Sequence, residues 1–229
     1  MLIGIPLCFL QAVIAGPVFR VLLPERWSDA VGMFVIFSIA MLGRLILGPC
    51  ESMLLAQRRQ KTWLVIALSY AAAFLAATIG GTLLGRVYGP DLTRLLGFTF
   101  GPAEGCAAGV ALALNIAAPI AMRCCIAPGG GRWRDVWDDY RFPLLASAAA
   151  ALAAWAAILP FPATRPGGIA ALVIAPAAMG LVYLLLVRLF ARDSAAHLIE
   201  RTRRVLPPRL ASIMQRAFAP AGPASRAPA

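Results

Sequence analysis

Arg44 is the residue whose type and place most demand a chemical explanation. It stands near the middle of an apolar run from about Ala30 to Leu55. A charge at that depth of a membrane helix costs roughly 3 kcal/mol on insertion scales. Such a residue ordinarily faces a bundle interior or a wet cavity, where it meets an anionic group. The plainer readings are a structural pair with another helix, or an arginine that snorkels along its own. Glu51 follows seven residues later, on about the same helical face and about 10 Å along the axis. That separation is too long for an i,i+4 pair. Asn115 lies inside a later apolar run and supplies an amide to the interior. Arg44, Glu51 and Asn115 are therefore the candidate substrate-binding residues. For Asn115, as for Gln11, Ser69 and Tyr70, the plain alternative is interhelical hydrogen bonding, worth about 0.6–2 kcal/mol.

Little else in the sequence carries chemistry. Cys8, Cys50, Cys106, Cys124 and Cys125 lie in or beside apolar runs, and none forms a CxxC. They read as small buried hydrophobes. His197 is the single histidine, so no metal site and no cofactor are expected. The acidic cluster Asp135, Asp138 and Asp139 has no histidine beside it; it reads as a solvated loop, with metal binding or catalysis as the alternative. No nucleophile elbow, HExxH, Walker A or Rossmann fingerprint is present. The expectation is a protein that is not an enzyme, with no catalytic residue.

The elements that position these residues follow from composition. Of 229 residues, 61% are hydrophobic and 14% charged. A soluble domain is nearer half apolar and a quarter charged. So few charges cannot cover so much apolar surface, and the bilayer is the matching solvent. A spanning helix needs about 20 mostly apolar residues. Six candidates are legible, at about 1–23, 30–55, 63–84, 105–121, 143–159 and 168–190. Gly16-Pro17 interrupts the first, and Pro119 and Pro176 are candidate kinks in the fourth and sixth. Backbone amides must be satisfied within lipid, which requires helices. The fold expected is an all-α, polytopic transmembrane bundle over 1–192, with a basic, partly disordered cytoplasmic tail over 193–229.

Charge sets the orientation. The net charge is +11, carried by twenty arginines and one lysine. Apart from Arg44, fifteen of these lie at or beyond the far ends of the second, fourth and sixth segments, and five lie on the other side. Cytoplasmic loops carry the excess of Lys and Arg, so both termini are expected in the cytoplasm. The distribution between apolar runs argues for topology and against nucleic acid. Pro24-Glu25-Arg26, Gly89-Pro90-Asp91, Pro128-Gly129-Gly130-Gly131 and Pro160 through Gly168 read as turns. The stretch from Arg132 to Arg141 mixes aromatics with both charge signs and reads as a short interfacial helix. Trp27, Trp63, Trp133, Trp137, Tyr88 and Tyr140 fall near the predicted interfaces. The tail's basic residues are expected to attract anionic headgroups. Glycines recur at four-residue spacing, as Gly81 and Gly85, then Gly101, Gly105 and Gly109, which predicts close helix approach. Met1 opens an apolar run with no positive n-region and no cleavage pattern, so it is not read as a signal peptide. A chain that starts inside a membrane helix reads as truncated, with more sequence expected upstream.

Three motifs, in order, carry a resemblance. Gly16-Pro-Val-Phe-Arg-Val-Leu-Leu-Pro-Glu-Arg-Trp27, followed by Ser-Asp-Ala30, resembles the helix-ending "Leu-Leu/Phe-Gly-x-x-Trp/Tyr-x-x-Ala" turn of polysaccharide-biosynthesis flippases, with Pro24 in place of glycine. Leu54-Leu-Ala-Gln-Arg-Arg-Gln-Lys61 resembles their cytoplasmic "Leu-x-Ala-x-Gly-Arg-x-x" turn, with Arg58 where glycine is common. Phe100-Gly-Pro-Ala-Glu-Gly-Cys-Ala-Ala-Gly109 resembles their "Phe-Gly-x-x-Gly-x-Ala" entry to a late helix. The motifs cover about 16–125.

The family belongs to the multidrug/oligosaccharidyl-lipid/polysaccharide exporter superfamily. The resemblance implies the last six spans, or C-terminal lobe, of a twelve- to fourteen-helix carrier in the bacterial inner membrane. Such carriers flip lipid-pyrophosphate-linked oligosaccharides. The implied partners are a polyprenyl-pyrophosphate-linked glycan, membrane lipids, a missing N-terminal lobe and glycan-assembly proteins. No binding residue carries over from the family, so Arg44, Glu51 and Asn115 rest on their own chemistry. The competing readings are a drug exporter of the same superfamily, a membrane enzyme of cell-envelope glycan assembly, and an accessory or non-functional membrane fragment.

Overall fold

Apolar runs interrupted by turn residues become six helices in the computed structural model, which describes residues 2–96, 100–162 and 164–190. They are α1 (Gly4–Leu22), α2 (Ala30–Ala56), α3 (Gln60–Leu96), α4 (Pro102–Ile126), α5 (Trp133–Ile158) and α6 (Arg165–Phe190). No strand occurs among the described residues. Each helix is long and apolar enough to cross a membrane. The basic tail expected over 193–229 lies outside the described residues.

The helices form two groups of three. In one, α4 is central, with α2 and α3 packed on it. Ile46, Leu47, Cys50 and Leu54 of α2 interlock with Val110, Leu114, Ala118 and Ala121 of α4. In the other, α1, α5 and α6 surround an alanine-rich seam. There Ala146, Ala150 and Ala154 of α5 meet Ala175, Met179 and Tyr183 of α6. Small residues let these backbones approach closely, which is how helices gain packing energy when apolar burial gives none. The Tyr183 hydroxyl donates to the Leu2 carbonyl at 2.7 Å and ties α6 to the start of α1. Ile5 and Cys8 of α1 pack on Leu42 of α2 and join the two groups.

The outer surface is apolar. On α3, Leu64, Val65, Leu68, Leu75 and Ile79 are all exposed, and its most apolar stretch buries nothing fully. A monomer in water rarely exposes so continuous an apolar face.

Four local assignments differ from the sequence expectation, the first being the turn expected from Pro160 through Gly168, which gives way to α6 at Arg165. Gly89-Pro90-Asp91 is helical, and α3 runs on to Leu96. Pro90 removes the amide donor that would bond the Arg86 carbonyl, yet the helix continues through it. Beyond it, the Thr93 hydroxyl donates to the Gly89 carbonyl at 2.8 Å and accepts from the Phe100 amide at 2.9 Å. The stretch from Arg132 to Arg141 is no separate interfacial helix. From Trp133 it forms the first turns of α5, continuous through Pro143. Gly16-Pro17 does not break α1 either, which is helical through Pro17.

The turn between α2 and α3 shows why sequence sets its shape. Arg59 donates its amide to the Leu54 carbonyl, and Arg58 to the Leu55 carbonyl, both at 2.9 Å. This is the Schellman closure, whose first residue past the cap adopts the left-handed conformation that favours glycine. Here that residue is Arg58, with φ of 56°.

Candidate functional site

Arg44 sits halfway along α2, beside the tightest contact of that helix. Gly43 lies against α4 so closely that a Cβ there would meet the Leu114 carbonyl carbon at 2.6 Å and the Asn115 amide nitrogen at 2.9 Å. This crossing brings Arg44 and Asn115 to one level of the bundle. Asn115 spends both amide protons on helix carbonyls, at 2.8 Å to Ala111 and 3.2 Å to Ile39. The second bond links α4 to α2 across the crossing. Asn115 thus acts as a structural tie, and only its carbonyl oxygen is left for a ligand.

The Arg44 side chain is exposed on α2 rather than enclosed among the six helices. It forms no ion pair among the described residues, and its electrostatic neighbour is Tyr70 of α3. A structural ion pair inside this bundle therefore does not account for it. Glu51 is half-buried further along α2 and is not paired with Arg44. The arrangement is an unpaired guanidinium at mid-helix, with an amide fixing the crossing behind it.

The acidic cluster has structural uses. Asp135 accepts from the Arg132 amide at 2.6 Å, which caps α5. Asp138 faces Arg141 at 3.2 Å and Arg134 at 3.8 Å on the exposed surface. Nothing is described of the Asp139 side chain. No group of three or more His, Cys, Asp or Glu side chains that could hold a metal occurs among the described residues. Cys8, Cys50 and Cys125 are buried, and all five cysteines are free.

A second feature was not singled out in the sequence. Between α3 and α4 lies a groove of about 720 Å³, whose walls include Val65, Ser69 and Ala73 of α3 and Leu112, Ile116 and Ile120 of α4. Lys61 stands at one end of it. The groove exists because the helices diverge. At one end Gly81 and Gly85 of α3 touch Gly105 and Gly101 of α4, backbone on backbone. At the other, Trp63, Ile66, Tyr70 and Phe74 wedge against the α2–α4 core and hold the axes apart. Arg59 and Gln57 close the wide end of α4 by donating to the Cys124 and Cys125 carbonyls at 2.8 and 3.2 Å. A cation there also offsets the negative end of the helix dipole. Lys61 carries no such duty and forms no ion pair or hydrogen bond among the described residues. The signal was available: it is the single lysine of the sequence, at the head of a stripe spaced by three and four residues.

Glu104 is the other residue the motifs understated. Its carboxylate is buried and accepts from the Gly101 amide at 2.9 Å. It satisfies an orphan donor at the start of α4, where negative charge is favoured.

Comparison with protein-family models, with curated proteins and with solved structures finds no match for this chain.

Proposed function

We propose that the chain is the C-terminal, membrane-embedded part of a carrier that exports a lipid-linked glycan across the bacterial inner membrane. The observation that carries this reading is Arg44, an exposed cation at the middle of an apolar helix with no protein counter-charge among the described residues. Lipid solvates a guanidinium poorly, and a face that borders water or an anion supplies what it lacks. In a two-lobed carrier that face lines the cleft between lobes. Substrate sites of such carriers lie near the bilayer midplane, where a guanidinium meets a pyrophosphate through paired hydrogen bonds.

Three further observations agree. The outer surface is apolar along helices of spanning length. The fifteen-to-five distribution of basic residues orients an even number of spans with both ends in the cytoplasm. Arg58 adopts the glycine-favouring conformation at the position where the resembled turn carries glycine. The membrane-enzyme reading has less to stand on, since Asp135 and Asp138 are already engaged in capping and surface pairing.

The test is deletion of the gene in its own host, followed by measurement of surface glycan. The expected result is loss of surface glycan, restored by the wild-type gene. A normal glycan coat in the deletion strain overturns the reading.

A further inference from the structure

We infer that Cys50, Met53, Met122 and Cys125 form a binding site for one copper(I) ion between α2 and α4. The inference goes beyond the carrier reading and does not depend on it.

Two sulfur pairs recur at one spacing. Cys50 and Met53 stand three residues apart on α2, and Met122 and Cys125 stand three apart on α4. On a helix that spacing sets both side chains on one face. The two faces meet in the fold. All four residues line one cavity of about 390 Å³, with Gly4 and Ile5 of α1 in a third wall. The rest of the lining is apolar, so sulfur is the donor that side chains supply there. The Cys125 thiol donates to the Cys50 carbonyl at 3.4 Å. The Cys50 and Cys125 side chains also lie within hydrogen-bonding reach of each other. Both thiols are buried and free.

The donor set selects the metal. Thiolates and thioethers are soft ligands and favour copper(I). Calcium and magnesium need oxygen donors, and no carboxylate or hydroxyl lines the cavity. Zinc sites draw on three or four Cys, His or carboxylate ligands, and no such group of three occurs among the described residues. Charge agrees with this choice. Binding releases a proton from each thiol, so two thiolates and one copper(I) carry a single net negative charge. Arg59 reaches the end of α4, where it donates to the Cys124 carbonyl, and Cys125 feels its positive charge. The Tyr140 hydroxyl is buried against the same cluster, without a hydrogen-bond partner among the described residues. It feels the charge on Cys50. A buried polar atom without a partner is rare and calls for a cause. A metal–thiolate anion in that cluster is one its dipole can turn to.

The experiment uses the full chain in nanodiscs under anaerobic conditions, titrated with copper(I) held by bicinchoninate. One ion per chain is expected, with a sulfur-only shell in X-ray absorption. Cys50→Ala and Cys125→Ala are each expected to weaken binding by more than about a hundredfold, beyond the loss caused by an outer partner of a metal. Tyr140→Phe, as such an outer partner, is expected to weaken it about tenfold. Cys106→Ala, near the opposite end of α4, is expected to bind as the wild type does. Leucine matches methionine in volume, so the double variant Met53→Leu, Met122→Leu keeps the packing. It is expected to bind more weakly, with fewer sulfur neighbours around the metal. Several results overturn the inference. They are a wild-type chain that takes no copper from bicinchoninate, oxygen or nitrogen in the metal's shell, unchanged binding in Cys125→Ala, an unchanged sulfur count in the methionine double variant, or zinc displacing copper at equal concentration.

Discussion

Gly81 and Gly105 contact each other reciprocally: a Cβ added to either would strike the carbonyl oxygen of the other. This pair sets the closed end of the α3–α4 crossing, and everything beyond it follows from the divergence of the two axes. Gly81→Val forces the backbones apart, which costs about 1–3 kcal/mol, as overpacking typically does. Gly80, next in sequence, has nothing within 4 Å of its Cβ position. Gly80→Ala is expected to be neutral or stabilising by about 0.5–1 kcal/mol. Unfolding in mixed detergent micelles measures both. Equal effects of the two substitutions contradict the crossing.

Arg58 offers a stabilising change. Its left-handed backbone costs an L-residue about 1 kcal/mol that glycine does not incur. Arg58→Gly is expected to raise the unfolding free energy by up to roughly 0.5 kcal/mol, after the entropy that glycine gains in the unfolded chain is set against it. A clear loss of stability shows instead that the Arg58 charge outweighs its backbone cost.

Asn115 is expected to matter for assembly of the helices before it matters for a ligand. Asn115→Ala removes the α4–α2 bond to Ile39 and lowers stability by about 0.6–2 kcal/mol. Asn115→Ala with unaltered stability and lost export places it on the substrate instead.

How far the sequence foretold this arrangement differs by element. The six helices were legible because a long apolar run has one backbone solution in lipid. The Gly81, Gly85, Gly101, Gly105 and Gly109 spacing announced a close approach of helices, and the structure supplies the partners, α3 against α4. The ends were less legible. Pro90 reads as a stop, yet α3 passes through it, and beyond it Thr93 bonds back to Gly89 and receives the Phe100 amide. The candidate site was half legible. Arg44 declared itself by depth alone. Its exposure did not, since apolar neighbours on α2 look alike whether they face lipid, a core or a second lobe. Tyr70, read as packing, packs against the α2–α4 core and feels the Arg44 charge. The groove was invisible because it arises from the angle between helices, which four aromatic and aliphatic side chains of α3 set at a distance from the glycines.

The central claim is that Arg44 meets the charged headgroup of a lipid-linked glycan as it crosses the membrane. The direct measurement is the leaflet distribution of that precursor, read by protection from an impermeant glycosidase in right-side-out spheroplasts of cells carrying Arg44→Ala. Insertion of the variant is checked by its abundance in the membrane fraction. The account predicts normal insertion, precursor confined to the cytoplasmic leaflet, and partial recovery in Arg44→Lys. Precursor reaching the outer leaflet at the wild-type rate in Arg44→Ala contradicts it.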